Sequence, residues 1–131
     1  MKKIKFGSME ILGYVGIVIW VAVNFLRGAD LPNHAACRFL LGVLPNLGAA
    51  WGMTMFGKWM ILLLYKKSYT LKAHGMLCFG IFMLALLSEW IHDAFLGSPF
   101  DGCDIWMTAL AQVIIFFLPI AINDKYWKDY R

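Results

Sequence analysis

The sequence predicts an all-α integral membrane protein, a four-helix bundle with a short broken or re-entrant helix before the second span. Three observations carry that prediction. Of the 131 residues, 61% are hydrophobic and only 15% charged, whereas a soluble domain carries about 25% charge. Four apolar stretches, about 9–27, 46–65, 73–92 and 105–122, each come close to the ~20 residues that a span requires. The cations fall between those stretches, so the whole chain, 1–131, forms one transmembrane domain.

The first stretch follows Lys2, Lys3 and Lys5 and is interrupted only by Glu10 and Asn24. Its basic start resembles a signal sequence. Its apolar core exceeds the usual ~7–15 residues, however, and Arg27-Gly28-Ala29-Asp30 gives no small-residue cleavage site. It therefore reads as a retained first helix.

Residues 35–65 are apolar over thirty-one positions. As one straight helix they would measure about 46 Å, against a hydrocarbon core of about 30 Å. Pro45 pushes Leu44 away from helical geometry and Asn46 can cap a new helix. The expectation is a short interfacial or re-entrant helix over 35–44 and a span over 46–65. Gly48 and Gly52 form a GxxxG face for close helix packing, either within the chain or between copies in a homo-oligomer. Lys58, near the end of this span, is expected to snorkel to the interface.

A short basic connection, 66–72, leads into the third span, which has His74 at one end and Glu89, His92 and Asp93 at the other. His74 is expected at the interface beside Lys72. The fourth span contains Thr108, Gln112 and Pro119, and its polar side chains suit interhelical hydrogen bonds.

Nine of the twelve Lys and Arg lie in the N-terminus, the 66–72 connection and the tail, and five of the eight acids lie towards the other side. The positive-inside rule then gives a multi-pass protein of the cell membrane with both termini cytoplasmic. The same scatter of cations forms no stripe for nucleic acid. The bilayer is the expected partner, joined by a second copy or a separate protein partner.

Chemically capable side chains concentrate in residues 88–104. Glu89, His92 and Asp93 share one helical face by their spacing, and Gly97-Ser98-Pro99 turns the chain so that Asp101 and Asp104 can fold back. These five could form a binding site, with Arg38 or Arg27 as counter-charge. No resident cofactor is expected, although the carboxylates could hold a hard divalent cation through oxygen, with His92 as accessory ligand or base. The plain alternative makes the Asp residues solvated loop groups, with Asp104 capping the fourth span. Cys37 and Cys103 fall in the two connections on one side, where a disulfide is open to them in an oxidising compartment.

Glu89 with Pro99-Phe100-Asp101-Gly102-Cys103-Asp104-Ile105 resembles the E…FDxxDI signature of VanZ-like membrane proteins. Leu41-Gly42-Val43-Leu44-Pro45-Asn46 is similar to the LG-x-LPN segment of small members of that group. Where an Asn-x-x-Gly follows the DI pair in that family, this chain has Thr108 and Ala111. The resemblance implies a compact, multi-pass bacterial envelope protein, in a family whose named members are tied to teicoplanin resistance. It also implies importance for Glu89, Asp101 and Asp104.

The leading expectation is a non-enzymatic envelope protein whose outward acidic pocket binds a lipid, a cell-wall precursor or a cation. Two rivals stand beside it. One is an oligomeric pore or membrane-disrupting effector built on the Gly48–Gly52 face; the other is a metal-dependent lipid-modifying enzyme.

Overall fold

Four helices follow the four apolar stretches: α1 (Ser8–Arg27), α2 (Ala35–Tyr65), α3 (Leu71–Leu96) and α4 (Gly102–Ala121). The computed structural model describes residues 7–29, 34–65 and 69–122. The lysines before residue 7, Asp30, Lys66, Lys67 and the basic tail lie outside the described residues. Each helix is long and apolar enough to cross a membrane. Phe25, Trp106, Phe95 and Leu64 are among many large apolar side chains on the outer surface, as a multi-pass membrane protein presents to lipid.

Local chemistry sets the helix ends. Gly7 N–H is held by Glu10 Oε2 at 2.9 Å, and Thr70 Oγ1 accepts Ala73 N–H at 3.1 Å at the start of α3. Asp101 Oδ1 accepts Cys103 N–H at 2.8 Å, so Asp101 caps α4 and Asp104 lies in its first turn. The expected cap was Asp104; the carboxylate three residues earlier has the reach, because an N-cap side chain bonds the next free N–H groups. Gly97 ends α3 at φ +65°, in the left-handed region that favours glycine.

The helices run up and down. Gly13 and Gly16 of α1 meet Met55, Trp51 and Gly48 of α2 in antiparallel order. A Cβ on Gly48 would lie 2.5 Å from Gly16 O, and one on Gly16 would lie 2.6 Å from Gly48 O. The GxxxG face is therefore filled by α1 within the chain, backbone against backbone. Trp51 Nε1 donates to Ala111 O at 2.9 Å. Thr54 Oγ1 donates to Ala50 O at 2.8 Å and accepts from Gln112 Nε2 at 3.3 Å. These bonds join α2 and α4 side by side and turn Gln112 into the bundle.

The expected break at Pro45 is not found: α2 is one helix from Ala35 to Tyr65 with Pro45 inside it. Pro45 lacks an N–H, which leaves Leu41 O without its helical partner. Arg27 supplies the substitute, donating from Nε at 3.0 Å and Nη2 at 2.7 Å to Leu41 O. Pro119 lies inside α4 in the same way and leaves Ile115 O open. His74 Nε2 bonds that carbonyl at 3.1 Å. Each intrahelical proline among the described residues is thus matched by a side chain from a neighbouring helix.

Candidate functional site

Polar side chains gather at both ends of the bundle. At the end formed by the α3–α4 turn, Glu89 Oε2 accepts Asp101 N–H at 3.3 Å. Asp104, half-buried, lies within electrostatic reach of Asp101, Glu89 and Arg27, and its carboxylate takes a hydrogen bond from the Asn46 side chain. Thr108 Oγ1 donates to Asp104 O at 2.9 Å one turn further along. All four helices contribute to this group: Arg27 from α1, Asn46 from α2, Glu89 from α3 and Asp104 from α4. Three carboxylates, two of them half-buried, thus gather with one guanidinium in reach of Asp104, which leaves the group formally net negative.

The structure brings together Glu89, Asp101 and Asp104 and leaves the other named candidates outside. His92 and Asp93 are exposed on α3, and Arg38 is exposed in the first turn of α2. The cation that reaches the acids is Arg27, because its aliphatic stem already carries the guanidinium to the opened carbonyl of α2. Among the described residues no three His, Cys, Asp or Glu side chains group as metal ligands do. Cys37 is half-buried, Cys78 buried and Cys103 exposed, and all three are free thiols.

The opposite end holds a second polar centre. Lys58 and Glu10 form an ion pair with their side chains 0% and 1% exposed. Snorkelling was expected of Lys58, but a buried carboxylate at matching depth on the antiparallel α1 captures it instead. Tyr69 and His74 are equally enclosed. The Tyr69 hydroxyl meets His74 Nδ1 at 2.9 Å, and Lys58 Nζ stands 5.9 Å from the centre of the Tyr69 ring. Burial pushes the Tyr69 phenol far above its ordinary range, so it stays protonated. Because Ile115 O can only accept, His74 Nε2 carries a proton, and in the neutral ring Nδ1 accepts from Tyr69. The imidazole also stacks on Phe116 with centroids 5.4 Å apart. It is a core residue, not the interfacial one expected from its place beside Lys72.

The chain matches no family model, no curated protein and no solved structure. The reading of its sites therefore rests on their own chemistry. The Glu10–Lys58–Tyr69–His74 group is closed and internally bonded, and it ties all four helices together. The Glu89–Asp101–Asp104 group is partly open. Sequence reasoning passed over Glu10 and Lys58 as a pair, although one signal was present: two lone opposite charges lie in successive antiparallel spans, each near the same end.

Proposed function

We propose that this chain is a multi-pass protein of the bacterial cell envelope, with both termini cytoplasmic, whose outer acidic group binds the cationic part of a membrane ligand. The ligand class is an amine-bearing lipid or cell-wall precursor, with a free cation as the simplest member. The observation that carries the reading is the meeting of Glu89 and Asp104, from different helices, beside Asp101 and the Asn46 side chain. Two half-buried carboxylates set close together repel each other, and a cation between them relieves that cost. The resemblance to VanZ-like proteins falls on the same Glu89, Asp101 and Asp104, which supports the choice of site.

The protein in detergent, titrated with phosphatidylethanolamine and with phosphatidylcholine of equal chains, tests this reading. Phosphatidylethanolamine should be retained at least tenfold better, and Glu89→Gln with Asp104→Asn should erase the preference. Equal retention by the wild type would sink the proposal. Labelling from outside cells should tag Ser98→Cys and spare Ser68→Cys.

The pore reading has less support, since Gly48 and Gly52 pack on α1 and Gln112 on Thr54. A metal-dependent lipid-modifying enzyme would use the same acids; Mg2+ binding that vanishes in Asp101→Asn and Asp104→Asn, together with lipid turnover, would favour it.

A further inference from the structure

A groove of about 350 Å3 runs between α3 and α4. One wall is a helical stripe that includes Gly75, Phe79 and Phe82; the other includes Val113, Phe116 and Phe117. The stripes face each other without closing because Gly75 and Ala109 supply no bulk. A Cβ built on Gly75 meets only Phe116 Cε2, at 3.5 Å, which is ordinary contact.

The lining spans residues 75–82 of α3 and 109–117 of α4, which makes the groove about 12 Å long, close to the ~15 Å depth of one leaflet. Its lining is almost wholly apolar and aromatic, so water gains nothing there. Phe116 is braced from behind by the stacked His74 ring, so this wall is held in place. In a bilayer, the occupant at hand is a lipid chain.

One end of the groove carries a charge. Lys72 is exposed in the first turn of α3, three residues before Gly75 and so on the same side of the helix. An apolar slot of leaflet depth that ends at an ammonium matches an acyl chain joined to a phosphate. We propose that the α3–α4 groove seats one chain of an anionic phospholipid, with its phosphate at Lys72. This rests on the chain lying in a bilayer and is independent of the acidic group at the other end.

Native mass spectrometry of the full chain in detergent, with phosphatidylglycerol or phosphatidylcholine of identical chains, tests the proposal. The wild type should retain one phosphatidylglycerol at about tenfold lower lipid concentration than it needs for phosphatidylcholine. Lys72→Gln should bring the two lipids level. Gly75→Leu and Val113→Trp, which fill the slot, should each lower phosphatidylglycerol retention about tenfold with an unchanged Tm. Glu89→Gln with Asp104→Asn should leave it untouched, which separates this site from the acidic one. Equal retention of both lipids by the wild type would overturn the proposal. So would filled variants that bind as the wild type does, or a dimer that these variants dissolve, since the groove would then be a contact between copies. Should the filled variants not fold, an unchanged preference in the exposed Lys72→Gln variant overturns it alone.

Discussion

His74 donates its Nε2 proton to Ile115 O, the carbonyl that Pro119 leaves without an amide partner. Arg27 and Pro45 stand in the same relation through Leu41 O. A proline inside a transmembrane helix is tolerated when neighbouring groups satisfy what it exposes, and here the compensating donors are single identifiable side chains.

The dependence can be measured by double-mutant cycles. Arg27→Ala should cost about 1 kcal/mol through the unpaired Leu41 carbonyl. In a Pro45→Ala background the restored N–H takes that carbonyl, so the same change should cost less than half as much. His74→Ala and Pro119→Ala should couple with the same sign. Unfolding in mixed detergent micelles gives the four free energies of each cycle, and zero coupling would refute the account.

The Glu10–Lys58 pair should obey the asymmetry of buried charges. Lys58→Met alone strands a carboxylate and should destabilise by about 3–5 kcal/mol, and Glu10→Leu should do the same to the ammonium. The double variant should recover most of the loss, because an apolar pair of similar size suits this site. Tm values of the three variants in one detergent decide the matter.

Glycine at the α1–α2 crossing should be irreplaceable, whereas Gly80 in the middle of α3 should not be. Gly48→Ala places a methyl 2.5 Å from Gly16 O, a backbone atom that cannot swing aside. A loss of about 1–3 kcal/mol follows. Gly80→Ala meets nothing within 4 Å and should gain up to about 1 kcal/mol from helix propensity. Opposite signs in thermal melts of the two variants are the expected result.

Tyr69 predicts a pH dependence of definite sign. Its phenol is raised above the ordinary value of ~10 by burial, so the neutral form belongs to the folded state. The stabilisation is complete below about pH 10 and is lost as pH rises further, at about 1.4 kcal/mol per pH unit. Tyr69→Phe should remove that alkaline slope. A melt series from pH 8 to 11.5 in both proteins reads it directly, and parallel curves would contradict the assignment.

The four helices were legible because apolar length is a local property, and lipid imposes few alternatives on it. The continuity of α2 was not. Whether Pro45 breaks a helix depends on a donor eighteen residues earlier in the chain, and no local rule reaches that far. At the acidic end, Glu89, Asp101 and Asp104 could be grouped from spacing and one turn. The spacing also nominated His92 and Asp93, which share a helix with Glu89 but are exposed in the fold. Sequence position left Arg38 and Arg27 equally open as the counter-charge; Arg27 takes the role beside Asp104 because Pro45 draws it there. His74 looked interfacial from its neighbours, and its burial follows only once Pro119 is brought opposite it.

The salt link between Glu10 and Lys58 constrains how the chain is made. A ribosome presents α1 to the translocon well before α2 has emerged, and a lone acidic side chain has no welcome in hydrocarbon. Release of the first helix into lipid is therefore favoured only once the second has arrived to neutralise it. The two should then leave together as a hairpin, the earlier helix waiting on its successor.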